Sequence, residues 1–247
     1  MANGIKRLAK DCMVIVWRAS GEDGGMTPHD TEIRTRAVIF DMDGTLVDST
    51  GVVEQVWGEF AADYNLDIAT ILATSHGVQG IDTIRRFAPS DADHVTIAAD
   101  LMSRELTRTD GIVEIPGALA FLQSLPADLV ALVTSAPTEL AELRMGVAAI
   151  AIPAIAVTAE SVQRGKPDPE GFALAATRLG FSPEHTVVFE DAAAGITAAL
   201  AAGARVIVVG DLDHPVTDGL TRIRDYRDLR ATVETDADGR REIVLTF

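Results

Sequence analysis

The sequence predicts an α/β fold: a doubly wound parallel sheet interrupted by an inserted helical domain. Three observations support this. Short β-branched runs recur without polar alternation, at "RAVIF" (36 to 40), "LVALVT" (129 to 134), "TVVFE" (186 to 190) and "RVIVVG" (205 to 210), the pattern of strands buried on both faces. Between these runs lie helix-like stretches, two of them closed by Gly180 and Gly203, where a left-handed residue ends a helix without steric cost. The interval from 50 to 113 breaks the alternation, with helical stretches and no convincing strand.

Taken in order, residues 1 to 35 read as a flexible extension. "CMVIVW" (12 to 17) is too short to span a membrane, and no signal-like cleavage pattern follows it. "RASGEDGGMTPHDTE" is rich in glycine and acid, as linkers are. Met26 stands as a candidate start, since the first core strand lies after it. The core is expected over 36 to 49 and 114 to 230. Its helices are "GALAFLQSL", "TELAELRMGVAA", "PEGFALAATRLG" and "AAAGITAALAAGA". The insertion holds "VVEQVWGEFAADY" and "DADHVTIAADLMSRELTR". Trp57 and Phe60, one helical turn apart, read as its core. The tail from 231 to 247 reads as a hairpin turning at "DADG".

Composition narrows the function. The chain has 247 residues, 37 acidic and 21 basic, for a formal charge of −16. That charge opposes binding to nucleic acid or anionic membrane, so an anionic substrate needs local positive charge from a lysine and a divalent metal. A lone cysteine, Cys12, excludes an intrachain disulfide and fits a reducing, cytoplasmic setting. A monomer or weak homo-oligomer is expected.

In open parallel sheets, ligands bind beyond the carboxyl ends of the strands. Those ends present Asp41 and Asp43, then Thr134 and Ser135, then Glu190 and Asp191, with Lys166 on the loop "RGKPDPE". Each alone also fits a turn or cap residue. Four carboxylates, two hydroxyls and one amine arriving together on a single edge, in this order, are much harder to dismiss as turn residues.

"DMDGTLVDS", "VTSAP", "GKPDPE" and "FEDAAAGI" together resemble the four motifs of the haloacid dehalogenase superfamily, over about 37 to 230. That resemblance implies a Rossmann-like core with an α-helical cap at 50 to 113. "SHG" (75 to 77), "FAP" (87 to 89), "VTAESVQRGKPDPEGF" and "EIPGA" resemble the small sugar and polyol phosphatases, among them hexitol-, 2-deoxyglucose-6- and glycerol-phosphate phosphatases. The implied activity is Mg²⁺-dependent hydrolysis of a small phosphate ester. Asp41 would be the nucleophile and Asp43 the acid and base. Thr134 and Ser135 would bind the phosphoryl group, and Lys166 would neutralise it. Asp41, Asp191 and Glu190, with the main-chain carbonyl of Asp43, would surround Mg²⁺. Asp48 falls outside the chemistry, at the start of a hinge.

Asp43 argues against the metal-free dehalogenases, where that second aspartate is usually absent. The absence of lysine from 50 to 113 argues against a phosphonate-cleaving member. A β-phosphoglucomutase-like mutase would carry an arginine in the cap loop, where Gly80 stands in "SHGVQGIDTIRR"; Arg85 and Arg86 follow it. A non-catalytic phosphosugar-binding protein would be expected to lose Asp41 or Asp43, and both are present. His76, Gly77 and Gln79 are the candidate specificity residues. "LVDSTG" (46 to 51) and "IVEIPG" (112 to 117) are the candidate hinges.

Overall fold

The computed structural model describes residues 32–247. The first core strand follows a short edge strand, β1 (Glu32–Thr35) preceding β2 (Ala37–Phe40), and β3 (Val47–Asp48) leads out of the core. Four helices come next: α1 (Thr50–Tyr64), α2 (Ile68–Ser75), α3 (Gly80–Phe87) and α4 (His94–Leu106). The chain returns through β4 (Val113–Glu114), α5 (Ala118–Ser124), β5 (Val130–Val133), α6 (Thr138–Val147) and β6 (Ile155–Val157). It continues with α7 (Glu170–Leu179), β7 (Thr186–Glu190), α8 (Ala193–Ala202), β8 (Arg205–Val209) and β9 (Thr221–Ile223). The hairpin β10 (Arg230–Thr235) and β11 (Arg241–Thr246) ends it.

The main sheet has six strands in the order β6-β5-β2-β7-β8-β9, and every pair is parallel. From β2 the chain builds outward through β5 and β6, then crosses back to start β7 on the other side. That reversal opens a crevice at the carboxyl ends of β5, β2 and β7, the usual place for a ligand. Phe40 stands in register with both Leu132 and Phe189, so Asp41, Thr134 and Asp191 leave the sheet near one level. Below them Phe40 stacks on Phe189 with ring centres 5.0 Å apart, and Phe121 and Tyr226 complete the cluster. Such pairs fix ring orientation beyond simple burial.

The insertion between β3 and β4 is wholly helical, with local signals at its turns. Asn65 ends α1 in the left-handed region, while Asp67 and Asp93 cap α2 and α4 by accepting from main-chain N–H groups. Trp57 and Phe60 are buried edge-to-face at 5.4 Å. The two connections pair with each other: β3 and β4 form an antiparallel ribbon, with Val47 opposite Glu114 and Asp48 opposite Val113. Asp48 accepts from the Thr50 N–H, a turn role.

One boundary is corrected. The extension expected over 1 to 35 ends sooner, because Glu32–Thr35 is a strand antiparallel to β11, in a second sheet ordered β1-β11-β10. Ile33 and Thr35 alternate inward, and their burial against Leu245 and Ile243 stabilises a stretch whose exposed Glu32 and Arg34 read as linker. Cys12, Met26 and the rest of that extension lie outside the described residues. The strands β6 and β9, of three residues each, are too short for periodicity to reveal.

Replacing Ile33 with Ala is expected to lower the unfolding free energy by about 3 kcal/mol, measured by urea denaturation. A wild-type midpoint would show that β1 adds nothing to the core.

Candidate active site

The loop after β2 is folded on itself. The Met42 carbonyl accepts from the N–H groups of Thr45, Leu46 and Val47, and the Gly44 N–H donates to the Val47 carbonyl. Gly44 has φ +82°, and a Cβ there would lie 2.0 Å from Asp191 Oδ2. Only glycine allows both the turn and the approach of Asp191. Thr45 Oγ1 donates to Asp191 Oδ1 at 3.0 Å. Asp41 is anchored at its main-chain N–H by the Phe189 carbonyl, and Thr134 by that of Val157.

Lys166 is buried beneath this loop. Its ammonium donates to Asp41 Oδ1 and, at 2.7 Å, to Glu190 Oε1. Glu190 Oε2 accepts from the Ala192 N–H at 2.6 Å. Gly195, in the first turn of α8, makes room for this carboxylate: a Cβ there would lie 1.5 Å from Glu190 Oε1.

Asp41, Glu190 and Asp191 each bring a carboxylate oxygen within 4.8 Å of the others. Three carboxylates thus stand around one ammonium, and with all three ionised two negative charges would be in excess. Burial, the largest cause, pushes Asp41 up to about 8; Lys166 opposes this and Glu190 adds to it. Burial, with the charges of Glu190 and Asp41, likewise holds Asp191 well above the usual carboxylate range. Burial works against the charge on Lys166, but the adjoining Asp41 and Glu190 outweigh it and push its pKa up. An all-oxygen cluster with this excess suits a hard divalent cation, and these three residues could hold one. Both Glu190 oxygens already accept a hydrogen bond, and each keeps a second lone pair.

A cavity of about 320 Å³ opens from Asp41, Asp43, Thr134 and Asp191 toward the inserted helices. Asp43 accepts from Ser49 Oγ at 2.6 Å and from Arg144 Nη1 at 2.9 Å. Arg144 also donates through Nη2 to Glu105 Oε1 at 2.9 Å. Val53, Trp57, Ile84, Leu101 and Met102 form much of the far wall.

The candidate specificity residues line this space, but most are already bonded. Ser135 Oγ donates to the Gly77 carbonyl at 2.8 Å, so this hydroxyl joins the loop between α2 and α3 to the sheet edge. Gly77 has φ +73°, and a Cβ there would meet that of Ala192 at 2.8 Å. Gln79 Nε2 donates to the Ala159 carbonyl at 3.3 Å, and its side chain packs on Gly165. His76 is exposed beside the mouth. Arg85 and Arg86 do not border the cavity: Arg85 pairs with Asp82, and Arg86 lies over the Phe87 ring. Sequence reasoning missed Arg144, Glu105, Ser49 and Thr45. The available signal was an arginine among Leu140, Ala141 and Met145, on the buried side of α6.

The family model for haloacid dehalogenase-like hydrolases matches residues 35–203. The chain belongs to this family. Hexitol phosphatase A of Escherichia coli (strain K12) is 41% identical over 72% of this chain and 84% of its own length. Glycerol-1-phosphate phosphohydrolase 1 of Saccharomyces cerevisiae is 32% identical over 76% of this chain and 81% of its own. A hydrolase from Pseudomonas syringae superposes with a TM-score of 0.64 at 25% identity, covering 76% of this chain and 92% of that one. Among the described residues of this haloacid dehalogenase-like hydrolase, no helix is long and apolar enough to cross a membrane.

Replacing Gly195 with Ala is expected to destabilise the protein by at least about 1 kcal/mol, although alanine favours a helix by a similar amount elsewhere. Thermal unfolding measures it; a raised midpoint would show that Glu190 has room to move.

Proposed function

We propose that this hydrolase cleaves a small sugar or polyol phosphate monoester through an aspartyl-phosphate on Asp41. The carrying observation is the buried Asp41 carboxylate at a strand end, paired with Lys166 and opening onto the same cavity as Asp43, Thr134 and Asp191. The names of the two curated relatives support the substrate class.

In this reading Asp41 attacks phosphorus in line, and the bond from phosphorus to the alcohol oxygen breaks. Asp43 supplies that oxygen with a proton. Asp43 then takes a proton from water as the water oxygen attacks phosphorus. The bond to Asp41 breaks, releasing inorganic phosphate and restoring the carboxylate. Lys166 neutralises charge shared by Asp41 and the phosphoryl group. The Thr134 hydroxyl and the main-chain N–H of Ser135 are the phosphoryl donors.

Asp41, Asp191 and Glu190, with the main-chain carbonyl of Asp43, would hold Mg²⁺, which supplies charge neutralisation at the phosphoryl oxygens. The helices from 50 to 113 act as a cap hinged at β3 and β4 that excludes water while substrate is bound. His76, Gly77 and Gln79 set specificity at its rim. Arg144, the one guanidinium lining the cavity among the described residues, is bonded to two carboxylates. Among the described residues no free arginine lines it for a second phosphate, which favours hydrolysis over mutase chemistry. The lone cysteine fits a cytoplasmic location.

Asp41→Asn is expected to abolish phosphate release from a panel of hexitol, deoxyhexose and glycerol phosphates, with a loss of at least about 10³-fold. Equal release by both proteins would place the nucleophile elsewhere.

The protons held on Asp41 and Asp191 must leave when a cation binds, so affinity rises with pH. Calorimetry is expected to show Mg²⁺ binding at least about tenfold tighter at pH 8 than at pH 6, with heats that depend on the buffer's ionisation enthalpy. Affinity independent of pH would separate the cation from these carboxylates.

A further inference from the structure

Arg144 is 3% exposed, on the side of α6 that carries Leu140, Ala141 and Met145. A guanidinium in such a place is costly unless it is paired. Its two partners come from different parts of the chain. Asp43 lies on the loop after β2, and Glu105 lies near the end of α4, in the insertion. With Ser49 Oγ on its other oxygen, Asp43 is held by one donor at each oxygen.

We propose that Arg144 is the positioning residue for Asp43 and that Glu105 makes this positioning depend on where the cap stands. The inference rests on the acid and base role assigned to Asp43 above. Arg144 belongs to the sheet domain, so it keeps its place when the cap swings about β3 and β4. Glu105 moves with the cap. With Glu105 in place, the guanidinium is clamped between two carboxylates and presents Nη1 to Asp43 in one orientation. With Glu105 withdrawn, one buried partner is lost and the guanidinium is free to reorient. The acid and base group is therefore fully set only when the cap lies over the cavity.

The test exploits leaving groups. Transfer of the phosphoryl group from 2,4-dinitrophenyl phosphate needs no general acid, whereas transfer from glycerol 1-phosphate does. For Arg144→Met, kcat/KM on glycerol 1-phosphate is expected to fall at least about 30-fold. On dinitrophenyl phosphate it is expected to stay within about threefold of wild type. Arg144→Lys should recover part of the loss. Glu105→Gln should show the same contrast more weakly, and the double variant should be no worse than Arg144→Met, since residues in one network are not additive. Glu105→Gln carries the contrast should Arg144→Met fail to fold. Equal losses on both esters would reduce Arg144 to a packing role, and additive losses would remove the link to Glu105; either result overturns the proposal. If the wild type hydrolyses neither ester nor any other in the panel, the phosphatase reading itself fails. Wild-type turnover with an unaffected Arg144→Met overturns this inference alone.

Discussion

Three carboxylates gathered around one buried ammonium set the terms for the rest of the molecule. Asp41, Glu190 and Asp191 could not remain together without Lys166, because buried like charges raise one another's pKa and resist ionisation. Ionised together, the three outweigh the single charge of Lys166. The remaining attraction for positive charge turns an acidic pocket into one that can accept a cation and, with it, a phosphate.

Keeping that cluster in place constrains elements that never touch substrate. Gly44 and Gly195 stand where any Cβ would collide with Asp191 or Glu190. Thr45 and the Ala192 N–H each take up a carboxylate oxygen, and the aromatic cluster of Phe40, Phe121, Phe189 and Tyr226 forms a rigid floor. Parallel strands in register deliver the acids to one level. The site is thus built on sheet ends, which hold geometry better than long loops do.

A second charged group sits one layer further out. Arg144 holds Asp43 from one side and Glu105 from the other, joining the sheet domain to the inserted helices. Ser135 to Gly77 and Gln79 to Ala159 are further bonds across the same seam. The side chains expected to meet substrate are in large part bonded across this seam, so specificity and the meeting of the two parts share the same atoms.

Much of the fold was legible in sequence because parallel strands buried on both faces leave unbroken apolar runs, and helices between them end on glycine. The family was legible because Asp41, Asp43, Thr134, Glu190 and Asp191 stand at the ends of those runs, with Lys166 in the short motif "GKPDPE", where local sequence and chemistry coincide. Sequence alone therefore determined the α/β class, the helical insertion and the acidic residues after β2 and β7. Only tertiary structure decided that Glu32–Thr35 pairs with β11, that Gln79 and Ser135 are bonded across the seam, and that Arg144 reaches Asp43 and Glu105. Those contacts join residues 39 to 214 positions apart, and no local period or motif encodes which distant partner a side chain will meet.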